Sequence, residues 1–199
     1  MIITKRLDTP ELIEEACFLL NEIYIKQSGW TFSPNNPSQL RIEIRNNRHV
    51  LIDRFTEKAI WFGSFDCSVL MGCARLVFAD ENNKFEMEAY KSSYSIQEYL
   101  PVDKSKCVEI NRLAVEKAYN KLEIAKQLFS AAFQYCEDNQ YSILGASNYD
   151  YIIALFKDIG FPLKMEYAFK YEEHDAFPVN FYFADYEKSE VKKLLGGIL

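Results

Sequence analysis

Glu109 and Arg112, three residues apart in the segment CVEINRLAV (107–115), are the pair of side chains in this chain best placed for chemistry. A carboxylate on a strand becomes a useful general base when burial raises its proton affinity, by up to about 3–5 pKa units at full burial. The same glutamate can instead close a structural ion pair with Arg112 or with Arg75. The strand that carries them is not a plain ladder. Val108 and Ile110 alternate on one face, but the next apolar pair, Leu113 and Val115, is out of step by one residue. A single phase slip inside one strand is what a β-bulge looks like in sequence, and a bulge breaks pairing, frees a backbone N–H and re-aims side chains. A basic turn follows, then an amphipathic helix from about Leu122. A helix N-terminus after a broken strand can hold a phosphate-bearing cofactor.

Other residues bear on that reading. Lys117, Lys121 and Lys126 ring the start of the helix, and Lys104 and Lys106 precede the strand, which stands out in a chain of net charge −6. Their competing role is the ordinary one of solvated surface lysines. Glu123 in the same turn repels phosphate. Arg75 and Arg112 can grip a carboxylate through paired N–H groups, or lie on a solvated sheet face. Five cysteines, scattered and without a C-x-x-C pair, read as reduced structural thiols. With only His49 and His174 as histidines, no metal site is expected. The acidic balance argues against nucleic-acid binding. No apolar run approaches the roughly 20 residues that span a bilayer, so no membrane span is expected. MIITKRLDTPEL lacks an apolar signal core, so the expected address is cytoplasmic.

The elements that must position these residues follow from periodicity. Residues 1–199 are expected to form one domain with a real core, from 49% hydrophobic and 15% aromatic residues. Ile2 to Arg6 reads as a short strand, and Thr9-Pro10-Glu11 as a helix cap and first turn. Leu12, Ala16, Leu19 and Ile23 carry that helix to about Lys26, and Gly29 stops it. Asn36-Pro37 is expected to start a short second helix bearing Leu40 and Ile44. From His49 to Phe78 the chain reads as β, with a hairpin turning at Asp66–Ser68. The bulged strand, its helix, the strand YSILGAS and a helix capped by Asn148 and ended by Gly160 follow. Aromatic strands near Leu163–Glu172 and Val179–Tyr186 and a charged tail helix complete it. The fold class is α+β, a central, mostly antiparallel mixed sheet with a bulged central strand, flanked by helices.

That order resembles the GNAT superfamily of N-acyltransferases. ALFKDIGF (154–161) looks like the family's A-x-x-[YF]-x-x-x-G-F helix end, and residues 120–125, NKLEIA, stand where its cofactor loop [QR]-x-x-G-x-[GA] stands, with Ala125 matching. A closer resemblance is to the autoinducer (acyl-homoserine-lactone) synthases and N-acyl amino acid synthases. Tyr24 followed by Gly29-Trp30, Asp53-x-Phe55, Gly72-x-x-Arg75-Leu76 and Glu109-x-x-Arg112 match that branch's helix end, D-x-[FY]-D, G-x-x-R-[LF] and E-x-S-R segments in order. Departures are equally plain: Leu20 or Asn21 stands where the branch has a helical arginine, Thr56 replaces its second aspartate, and Phe156 occupies the place of the leaving-group tyrosine of many GNAT enzymes.

The resemblance implies acyl transfer from a thioester, acyl-CoA or acyl-phosphopantetheine on an acyl carrier protein, to the amine of a small amino-acid-like acceptor. Glu109 would be the base, a backbone N–H between Leu113 and Val115 the oxyanion donor, and Lys117, Asn120, Lys121, Ala125 and Lys126 the donor's cradle. Trp30, Arg75 and Arg112 would meet the acceptor or acyl group. The aromatic residues are mostly core, with an acyl tunnel as the other use. The alternatives are an ordinary acetyltransferase using acetyl-CoA and a catalytically silent binding protein of the same fold.

Overall fold

Thr9 opens the first helix with its hydroxyl accepting from the Leu12 N–H, and Pro10 supplies the preset φ of the first turn. In the computed structural model, which describes residues 2–90, 103–147, 150–158, 169–171 and 174–181, helix α1 is Pro10–Leu20. It continues as a π-helical segment, Asn21–Gln27, where a uniform α-helix was expected. Gly29, at φ 66°, ends it in a conformation that costs glycine little.

The strands are β1 (Ile2–Leu7), β2 (Arg41–Arg45), β3 (Arg48–Ile52), β4 (Ile60–Asp66), β5 (Val69–Val77), β6 (Cys107–Val115), β7 (Ser142–Ser147), β8 (Phe169–Tyr171) and β9 (His174–Phe181). Helices α2 (Lys121–Asn139) and α3 (Asp150–Asp158) flank β7 in sequence. The helix expected over Leu40 and Ile44 is instead strand β2, paired with β3 from Arg41↔Ile52 to Arg45↔Arg48. Ile42 and Ile44 alternate with Arg41, Glu43 and Arg45, a period of two that no helix has. Asn46 and Asn47, both at positive φ (48° and 59°), make the tight hairpin turn that such residues favour. The last strand also begins earlier than expected, at His174 rather than near Val179, because Pro178 sits inside the ladder opposite Ala146 instead of ending it. The expected caps at Asn148 and Gly160, the rest of the aromatic strand near Leu163 and the tail helix lie outside the described residues.

Two compact units share the chain: Met1–Leu76 with Arg112–Ala131, and Val77–Asn111 with Ala132–Leu199. In the first, β1 and β4 are antiparallel, Ile2↔Asp66 to Leu7↔Trp61, and the β4–β5 hairpin turns at the expected Asp66–Ser68. The sheet order there is β1-β4-β5-β6, with Arg112–Val115 as the last member. Its core joins Ala16, Cys17, Leu19 and Leu20 of α1 to Val50, Leu51, Ile52, Trp61 and Cys73. Gly72 lets α2 approach β5: a Cβ there would lie 2.7 Å from Ile124 Cγ2 and 3.3 Å from Leu128 Cδ1. In the second unit, β6 and β7 run parallel from Cys107↔Ser142 to Ile110↔Gly145, while β9 lies antiparallel between β7 and β8. The architecture is therefore α+β, a mostly antiparallel sheet with β6 and β7 parallel among the described residues.

All five cysteines are free, and four are buried. Burial pushes the Cys17 and Cys107 thiols up to about 12. Among the described residues no cluster of side chains suits a metal ion, and no helix is long and apolar enough to cross a membrane.

Candidate active site

The phase slip in β6 has a backbone cause. Arg112 adopts φ 53°, the left-handed region, within an otherwise extended strand. A non-glycine arginine held there is strained by roughly 1–2 kcal/mol and persists only where its surroundings fix it. Asp53 does the fixing. Its Oδ2 accepts from Arg112 Nη2 (2.8 Å) and Nε (3.2 Å) and from Arg75 Nη2 (2.6 Å). Its Oδ1 accepts from Arg75 Nη1 (2.8 Å), the Phe55 N–H (3.0 Å) and the Thr56 hydroxyl (3.2 Å). Burial opposes the charged carboxylate, but the guanidiniums of Arg75 and Arg112 outweigh it and hold Asp53 well below the ordinary carboxylate range.

Thr56, in place of a second aspartate, completes this knot. Its hydroxyl accepts from the Asp53 N–H (2.9 Å) while donating to the side chain, a double duty that a carboxylate could not perform. Its carbonyl accepts from Trp61 Nε1 (2.9 Å). Arg75 and Arg112, expected to grip an acceptor, are thus brought together on a carboxylate of the chain itself, with side chains 1% and 4% exposed.

Beyond Arg112 the strand is regular, and its two edges alternate. The Glu116 N–H donates to the Met71 carbonyl (2.8 Å) and the Cys73 thiol to the Arg112 carbonyl (3.9 Å), so the even positions from 112 to 116 face β5. Leu113 and Val115, the expected oxyanion positions, present their backbone groups to the other edge. There the Tyr24 hydroxyl donates to the Leu113 carbonyl at 2.7 Å. The Trp30 and Tyr24 rings meet edge to face, centroids 5.4 Å apart, and the Trp30 backbone N–H donates to the Tyr24 carbonyl (2.8 Å).

The turn after β6 is tied to the same helix end. Gln27 Nε2 reaches both oxygens of Glu116 (3.2 Å), and Lys117 Nζ donates to the Gln27 carbonyl (2.9 Å). Asn120 caps α2: its carbonyl accepts from Ile124 N (3.1 Å) and its Oδ1 from Glu123 N (3.4 Å). Lys121 and Lys126 are partly exposed at this helix start, while Ala125 is buried in the core. Glu123, expected to repel phosphate, accepts from Gln127 Nε2 one turn further along (3.2 Å). Lys104 is held by a neighbouring carboxylate. It lies in the second unit, where Nζ donates to both oxygens of Glu88 at 2.7 and 2.8 Å.

Glu109 is also in the second unit, 4% exposed. Its Oε2 accepts from the Met87 N–H (3.1 Å) and its Oε1 from Asn111 Nδ2 (3.2 Å). The same Asn111 nitrogen donates to Glu86 Oε2 at 2.7 Å, so one amide joins two buried carboxylates. Sequence reasoning missed Glu86, Asn111 and Gln27. Glu86 lies 23 positions before Glu109 with no periodic relation to it, whereas Asn111 was visible as the residue replacing serine in E-x-S-R.

This fold is that of a known enzyme class. The chain belongs to the acetyltransferase (GNAT) family, whose model matches residues 20–161, and it is an acyltransferase of that family. No curated protein matches the sequence. Among solved structures it is similar to FeeM, an N-acyl amino acid synthase from uncultured soil microbes, at 16% identity and TM-score 0.66 over 93% of this chain and 92% of that one. It is similar also to MesI, a CoA-dependent acyl-homoserine lactone synthase (15%, TM-score 0.67, 98% and 95% covered). A third is LasI, an acyl-homoserine lactone synthase (11%, TM-score 0.65, 99% and 95% covered). At such identities the likeness is one of fold.

Proposed function

We propose that this chain is an N-acyltransferase that moves an acyl group from a CoA or acyl-carrier-protein thioester to the amine of a small, amino-acid-like acceptor. The observation that carries the reading is the left-handed Arg112, which interrupts strand β6 just before the backbone N–H groups of Leu113 and Val115. Amide formation from a thioester needs a base to take the amine's proton, donors for the oxyanion, and a thiol that leaves protonated. Glu109 takes the proton, with its two oxygens oriented by Met87 N–H and Asn111. The N–H groups of Leu113 and Val115 are the oxyanion donors. Phosphate of the donor is met by the start of α2, with Asn120 as its cap, Ala125 as the small residue beneath it, and Lys117, Lys121 and Lys126 around it.

Arg75 and Arg112 contribute through the Asp53 knot: two guanidiniums on one carboxylate carry surplus positive charge that favours an acceptor carboxylate. Trp30 lines the acyl group's path. Similarity in fold to a synthase of N-acyl amino acids and to synthases of acyl-homoserine lactones, one of them bound to isopentyl-CoA, supports an acyl group longer than acetyl. The test is a mass-spectrometric screen of the purified protein with thioesters of graded chain length, as CoA and as carrier-protein conjugates, against amino acids and related amines. The expected product is an N-acyl amine from a medium or long chain. Acetyl transfer alone would make it an ordinary acetyltransferase, and no thioester bound or consumed would make it a silent binding protein.

A further inference from the structure

The π-helical segment after α1 is the strongest irregularity that the proposed chemistry leaves unused. π-Helical turns inside α-helices are rare and concentrate at functional sites. This one makes three ties to residues 113–117: Tyr24 to the Leu113 carbonyl, Gln27 to Glu116, and Lys117 to the Gln27 carbonyl. All three lie within the first unit. The Tyr24 ring packs in the same buried core as Cys17 and Leu20, with its hydroxyl reaching β6. Trp30 braces the ring edge-on, so the hydroxyl is held where it is.

We infer that Tyr24 is a positioning residue for the oxyanion donors, acting through the Leu113 carbonyl; this rests on the acyl-transfer reading above. The Leu113 carbonyl and the Ala114 N–H belong to one planar trans peptide and point in opposite directions. Tyr24 O–H holds one end of that plane, and the other end faces β5, where Glu116 N–H two residues on donates to the Met71 carbonyl. With this plane fixed, the flanking N–H groups of Leu113 and Val115 are held at a constant angle, as preorganised donors must be.

Tyr24→Phe keeps the ring and the Trp30 contact and removes only the hydroxyl. It is expected to lower kcat for acyl transfer by about 10–100-fold, the loss typical of a misplaced reacting geometry. The KM of the acceptor should stay within about twofold, since ground-state binding of that substrate does not pass through this bond. A second variant carries trifluorotyrosine at position 24, whose phenol ionises near neutral pH. It should lose turnover as the pH rises through that ionisation, because a phenolate cannot donate to a carbonyl, whereas the parent should not. Equal kcat for parent and Tyr24→Phe, or a trifluorotyrosine profile matching the parent's, would overturn the inference.

Hydrogen exchange separates this failure from failure of the proposed function. In the free protein, the Ala114 amide should exchange faster in Tyr24→Phe than in the parent even if no acyl transfer is found. Unchanged protection there would remove the clamp whatever the enzyme does.

Discussion

Asp53 accepts three donors on each carboxylate oxygen, and two of its partners are guanidiniums buried with it. Removing its charge leaves both cations buried without that partner, so Asp53→Asn is expected to cost about 3–5 kcal/mol in urea unfolding. A loss under about 1 kcal/mol would show that the knot is solvated in solution. The pH dependence has a definite sign. Because Asp53 is held below its unfolded value, its stabilisation is complete above that value and fades as pH falls below about 4 toward the folded pKa. The parent should therefore lose stability in acid along a limb that Asp53→Asn lacks. Glu109 plays a different part. Glu109→Gln should lower kcat at least about 100-fold, the range for a general base, while the thioester Kd moves less than about threefold. Equal turnover would take Glu109 out of the mechanism.

At the scale of elements, the close approach of α2 to β5 at Gly72 sets where the helix start stands relative to β6. Gly72→Ala would put a methyl 2.7 Å from Ile124 Cγ2 and is expected to cost about 1–3 kcal/mol by overpacking, read as a lower urea midpoint. An unchanged midpoint would mean that the helix gives way freely. The irregular elements show what a sequence can and cannot reveal. The β6 bulge was legible because the apolar pattern of Val108, Ile110, Leu113 and Val115 shifts phase at a fixed point. The hairpin β2–β3 was misread because Asn36-Pro37 was weighed as a helix start above the period-two run from Arg41 to Arg45 and the turn-forming Asn46-Asn47. The π-helical segment was not legible, since Ile23 and Tyr24 suit an α-helix equally well and only hydrogen bonding distinguishes the two windings.

For the whole molecule, the α+β class and the order of most elements could be read from periodicity, and the family from short segments lying in a common order. The site was legible only in part, since its partners are remote in sequence: Asp53 meets Arg112, and Tyr24 meets Leu113, across long stretches of chain that carry no local signal. The proposed acyl transfer depends on the irregular β6 and its edge donors. The most direct measurement uses a ketone analogue of a long-chain acyl-CoA, in which a methylene replaces the thioester sulfur and the carbonyl is kept. Two-dimensional amide NMR of the labelled protein on titration with this analogue should shift the Leu113 and Val115 N–H resonances downfield, together with those of Lys121 and Leu122 at the start of α2. Saturation that leaves all four unmoved, or shifts confined to other strands, would contradict the account.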